Sequence, residues 1–247
     1  LKNKINWKII VAIILIIASV LIYTINYLIF KDTRSLFFYL FIDFAFLPLD
    51  VLLVTLVIDT LLTAREKKLI LNKLNMVIGT FFSEVGIKLL KTLNSKYENI
   101  NSISEDINKI NEWNKKDFIK FKANLAKEKF NFIINIEDEK NLKLFLNDKR
   151  DFLLRLLENP NLLEHESFTE LLRAVFHLTE ELANRESFDN QPLNDLEHIK
   201  LDIKRAYLLL IFEWISYMQY LKNAYPYLYS LALRQNPFNK DSKIIIS

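Results

Sequence analysis

Residues 7–30, WKIIVAIILIIASVLIYTINYLIF, and residues 36–62, LFFYLFIDFAFLPLDVLLVTLVIDTLL, are two apolar runs parted only by KDTRS at 31–35. A helix needs roughly 20 apolar residues to cross a hydrocarbon core of about 30 Å, and each run meets that length. The pattern predicts a transmembrane hairpin over residues 1–64, followed by a polar, helical region over residues 65–247. Lys2, Lys4 and Lys8 give the first run a basic start. Its apolar stretch is much longer than a signal-peptide core, and no small-x-small cleavage site closes it, so it reads as an anchor that stays.

The distribution of basic residues predicts the orientation. Three lysines precede the first run, and Arg65, Lys67, Lys68 and Lys73 follow the second. The connecting turn has only Lys31 and Arg34, beside Asp32. Basic residues favour the cytoplasmic side, so both termini are expected in the cytoplasm and the protein in the inner (plasma) membrane.

Composition removes several function classes. There is no cysteine, which excludes disulfides, thiolate metal sites and thiol catalysis. Two glycines leave little material for phosphate-cradling loops, and few glycines and prolines argue against a turn-rich sheet fold. A net charge of +3 gives no general attraction to nucleic acid.

The expected fold is all-α. Leu71, Leu74, Ile78, Phe81, Val85 and Leu89 recur at three- and four-residue steps and predict that the second apolar helix runs on into the polar region. Gly79 and Gly86 lie seven apart on one face, where another helix of the same chain or of a second subunit can approach. A loop is expected over 94–101, with capping boxes at Ser102/Glu105 and Ser167/Glu170. Helices are expected over 137–158, from 167 to about 184, over 193–224 and over 227–234, with a loose tail from about 239. Phe132 to Ile136 is the only strand-like stretch.

Several residues invite a functional reading. Asp43, Asp50 and Asp59 are acidic residues in the second run, which Pro48 interrupts; acidic groups in a span are costly. They could line a hydrated path in an oligomer, or pair with the neighbouring helix. Lys116, Lys120 and Lys127 belong to a basic stretch interleaved with Phe118, Phe121 and Leu125. That stretch could rest on anionic headgroups, or be a solvated face over core phenylalanines. The aromatic row of the 193–224 helix reads as core, with Glu213 expected to pair with Lys204 or Arg205. His177, with Glu180 and Glu181 beside it, is a weak metal-binding candidate. The simpler reading is a salt-bridge row Glu170–Arg173–His177–Glu181. Asp195 and His198 add one loose Asp-x-x-His. No residue is assigned a catalytic role and no cofactor is expected.

Arg173 and His177 resemble part of the Arg-x(4–6)-His signature of HEPN-type ribonucleases. The spacing is one residue too short, and Ala174 stands where a polar residue belongs. LNMVIGTFFSEVGIKLL at 74–90, RAVFHLTEELANR at 173–185, DIKRAY at 202–207 and AYPYLYSLALRQNPF at 224–238 resemble a group of prokaryotic membrane-associated proteins. That resemblance implies two spans and a helical domain, and carries over no activity. The expectation is a homo-oligomeric, non-enzymatic membrane protein. It is either an ion-conducting pore with a helical assembly and sensing domain, or a scaffold that recruits a partner. A metal-dependent or ribonuclease-like enzyme ranks third.

Overall fold

The computed structural model describes residues 7–189, 191–239 and 242. The fold is all-α, as expected, and no strand occurs among the described residues. The strand-like stretch supplies one residue, Phe132, to a single antiparallel bridge with Tyr97. The chain divides into two compact units, Leu1–Glu66 and Lys67–Ser247.

The first unit contains α1 (Trp7–Phe30) and the leading part of α2 (Thr33–Phe81). Both helices are long and apolar enough to cross a membrane. Lys31 turns the chain with φ 49°. The Asp32 carboxylate then accepts from the Arg34 and Ser35 amides and starts α2. Pro48 lies inside α2 and does not end it. Tyr23 donates a 3.1 Å hydrogen bond to Asp43, so this aspartate pairs within the hairpin. Asp50 and Asp59 are exposed. Lys2 and Lys4, expected to set the orientation, lie outside the described residues, as do all but Asn239 and Ser242 of the expected loose tail.

The second unit is built on α8 (Glu166–Ala183) and α9 (Leu193–Ala224), the most extensively packed helix pair. Leu171, Val175, Leu178 and Leu182 repeat on one face of α8, and Ile199, Ile203, Leu210 and Trp214 on α9; all are buried. Around this pair lie α3 (Ile87–Asn94), α5 (Lys115–Leu125), α6 (Ile136–Asp148), α7 (Arg150–Leu157) and α10 (Pro226–Arg234). The short α4 (Ile100–Ile107) adds Ile103 and Ile107 to the core.

Several local expectations need correction. The expected long helix does run on, from Thr33 to Asn94, but it contains a π turn at Phe82–Gly86. The added residue of a π turn shifts the helix face, so that the adjacent Phe81 and Phe82 are both buried. The helix expected over 137–158 divides at Lys149 into α6 and α7. Neither expected capping box forms. Ser102 lies inside α4 and donates to the Asn99 carbonyl, and α8 is capped by His165, whose Nδ1 accepts from the Phe168 amide. The capping boxes are instead Asn114/Asp117 on α5 and Asn135/Asp138 on α6. Asn fills this role because its side-chain oxygen reaches the free amides of the first turn.

Gly79 packs within its own chain: a Cβ there would stand 2.5 Å from Tyr217 Oη on α9. A Cβ on Gly86 would run into the Phe82 ring. Lys116, Lys120 and Lys127 are exposed, whereas Phe118, Phe121 and Leu125 are buried. That is the pattern of a solvated face over core aromatics. Tyr207 and Trp214 are fully buried, and Tyr207 donates a 2.7 Å hydrogen bond to Asn94. Tyr227 stays exposed.

Candidate metal centre

Two helical i,i+4 pairs meet across the α8–α9 contact. On α8 they are His177 and Glu181; on α9, His198 and Asp202. Side chains four apart on a helix lie one above the other, so each helix offers one imidazole and one carboxylate to the same place. His177 Nε2 lies 3.3 Å from Asp202 Oδ2, and His198 Nε2 lies 3.4 Å from the same oxygen. Glu181 Oε1 stands 3.9 Å from each imidazole nitrogen. One ligand atom from each of His177, His198 and Asp202 fits within a mutual separation of 4.8 Å.

The burial is uneven. Asp202 keeps 5% of its side-chain exposure and forms the floor, while His177 and His198 are about half exposed at the mouth. Asp202 Oδ2 is buried and makes no hydrogen bond. Its other oxygen lies 3.8 Å from Arg205. A buried carboxylate oxygen without a partner is costly, and such groups call for a specific explanation.

The distances fit a tetrahedral ion. Bonds of about 2.0–2.1 Å from zinc to His nitrogen or carboxylate oxygen place neighbouring ligand atoms roughly 3.3–3.4 Å apart. Both imidazole-to-Asp202 edges have that length, and the Glu181 edges would close by about half an ångström on binding. Two imidazoles with carboxylates suit a divalent transition ion, whereas calcium and magnesium prefer all-oxygen sites.

Arg185 supports the site from behind. It donates to Glu181 Oε2 at 2.8 Å and to the Glu181 carbonyl, and forms a two-point pair with Asp195. The Arg185 hydrogen bond holds the Glu181 carboxyl below the usual carboxylate range, so it is ionised and able to bind a cation. The same arginine holds Asp195 down.

Of the three candidates named from sequence, the structure brings His177 and Glu181 together and removes Glu180, which accepts from Arg150 at 2.7 Å. Asp195 belongs to Arg185 and does not pair with His198 as a metal-binding unit. Asp202 was missed altogether. One signal was available: Ile199, Asp202, Ile203 and Ala206 form a buried row on α9, and a carboxylate in such a row is anomalous. The salt-bridge row survives only at its ends, as Glu170–Arg173 at 3.2 Å and His177–Glu181.

Glu213 is the other buried carboxylate on α9. It accepts from Ser167 at 2.9 Å and faces His165 at 3.7 Å, not Lys204 or Arg205. Burial pushes its carboxyl up, against the smaller opposing pull of His165, Ser167 and Lys122. Because Ser167 donates to it and His165 and Lys122 act on it through space, it does not present an unfilled ligand set.

Two family models match the chain: "MJ1433, N-terminal helical domain" over residues 2–62, and "Uncharacterized protein MJ1433, C-terminal helical domain" over residues 70–234. The chain is 48% identical over 243 residues to "Uncharacterized protein MJ1433" of Methanocaldococcus jannaschii, covering 98% of each. No solved structure matches.

Proposed function

Because the chain belongs to the MJ1433 family, with its N-terminal and C-terminal helical domains, we propose a function from geometry: a membrane-anchored helical domain that binds a divalent transition-metal ion, zinc foremost, at His177, Glu181, His198 and Asp202. The observation that carries this reading is the buried, unbonded Asp202 Oδ2 facing two imidazole nitrogens at tetrahedral edge lengths. The bound ion would offset the buried carboxylate charge and lock α8 to α9. With the imidazoles at the mouth, it would also be open to solvent on one side.

Anchoring is supported by the length, apolar character and exposure of α1 and the first part of α2. The basic residues after the second run favour a cytoplasmic position for the metal-binding domain. The Tyr23–Asp43 hydrogen bond favours a hairpin that satisfies its own polar group. A second reading, an oligomer whose α2 helices surround a hydrated path, draws on Asp50, an exposed carboxylate within the apolar stretch.

The deciding experiment is zinc titration and metal analysis of the full chain in lipid nanodiscs. The expected result is about one tightly held ion per chain, lost in Asp202→Asn. A wild-type protein that binds no more zinc than Asp202→Asn would refute the assignment. Native mass spectrometry of the same sample tests the second reading, since a monomer has no central path.

A further inference from the structure

Glu139, on the first turn of α6, is 1% exposed, and neither of its carboxylate oxygens makes a hydrogen bond. The neighbouring Gln191 Nε2 is also buried and unbonded. Both groups line a cavity of about 530 Å³ whose walls include Ile134, Ile136, Phe188 and Leu196. That volume lies within the range of small-molecule sites, which combine apolar walls with a few polar groups. A buried carboxylate faced only by the Gln191 amide, with no direct hydrogen bond and no cation on it, is the unusual feature here.

Among the described residues no cation fills the role. Arg185 and Lys200 act on Glu139 only through space. Arg185 is committed to Glu181 and Asp195, and Lys200 to Glu197 at 3.2 Å. We propose that this cavity binds an aliphatic primary amine, with its ammonium on Glu139 and its methylene chain along the four apolar walls. An ammonium has three donors and no acceptor, which suits two bare carboxylate oxygens. Its charge compensates the one that burial disfavours on Glu139, and its apolar body matches Phe188 and Leu196. A neutral alcohol of the same length would leave the carboxylate without a counter-charge. Glu137, also lining the cavity and exposed, offers a second carboxylate to a diamine.

The cavity shares no lining residue with the metal centre, and the test keeps the two apart. The full chain in phosphatidylcholine nanodiscs is titrated calorimetrically with 1,5-diaminopentane, and with 1,5-pentanediol as the uncharged isostere. The diamine is expected to bind and the diol not. Glu139→Gln is expected to weaken the diamine by about tenfold or more, the usual scale for losing a charged hydrogen-bond partner. Ile136→Trp is expected to block the cavity with the carboxylate intact, and it decides the question if Glu139→Gln does not fold. Both variants are expected to keep zinc binding. Absence of diamine binding to the wild type, equal binding of the diol, or binding that persists in these variants overturns the proposal.

Discussion

Asp202 Oδ2 on α9 lies 3.3 Å from His177 Nε2 on α8, buried and without a hydrogen bond. Carboxylate and imidazole face each other across the contact that organises the second unit. The arrangement is therefore both a candidate ligand set and a potential weak point of the core. A metal ion bound only by the folded state stabilises by roughly 2.7 kcal/mol at a hundredfold excess over Kd. For a chain of this size that corresponds to a rise of about 2–4 °C in Tm per kcal/mol. Scanning calorimetry with and without zinc is expected to show the rise in wild type and none in Asp202→Asn. Metal-free Asp202→Asn is expected to be at least as stable as metal-free wild type, because it removes a buried carboxylate oxygen that has no hydrogen-bond donor.

Gly79 and Tyr217 form a second close relationship. A Cβ at residue 79 meets the Tyr217 hydroxyl at 2.5 Å. Overpacking of this kind costs about 1–3 kcal/mol, against a gain of about 1 kcal/mol in helix propensity for Gly→Ala. In the wild-type background Gly79→Ala is expected to destabilise. With Tyr217→Phe the hydroxyl is gone, and the same substitution is expected to become neutral or favourable. A double-mutant cycle by urea denaturation measures the coupling; a value near zero would show that α9 does not press on Gly79.

The pH dependence of stability turns on Glu213. Burial raises its folded carboxyl above the ordinary value, so the folded state keeps a proton that the unfolded chain has lost. Stability from this group is fully present below the ordinary carboxylate value, falls as pH rises through the raised one, and is level above it. Glu213→Gln is expected to unfold at higher urea than wild type at pH 7 and to lose that advantage near pH 4. Parallel pH profiles of the two proteins would expose an error in sign.

The absence of cysteine makes orientation directly measurable, because any introduced thiol is unique. Thr33→Cys, between the two apolar runs, is expected to react with an impermeant maleimide in intact cells. Lys67→Cys, just after them, is expected to react only after lysis. Labelling of both from the same side would contradict a hairpin that crosses the bilayer.

The apolar hairpin and the all-helical plan were legible because each rests on a local pattern. The end of α1 at Phe30 and the α9 span fall where the sequence placed them, since the apolar run and the stop at Pro226 need no tertiary information. The α8 start was misread because His165 caps it through a ring nitrogen, which competes with the Ser167 signal. The break at Lys149 and the π turn at Phe82–Gly86 left no composition signal, as both accommodate packing.

The candidate centre shows the same division more sharply. Sequence alone determined that this chain is helical, that its first quarter is apolar enough for lipid, and that His177 and Glu181 share one helix face. Those properties depend on residue type and on spacings of three to four positions. Only the tertiary structure decided that Glu180 turns to Arg150, that Arg185 takes Asp195, and that His198 and Asp202 complete the set with His177. The physical reason is that the register between α8 and α9 is set by packing between residues far apart in sequence. Which residue of one helix faces which residue of the other follows from how their buried rows interlock, and a list of residues in order does not contain that register.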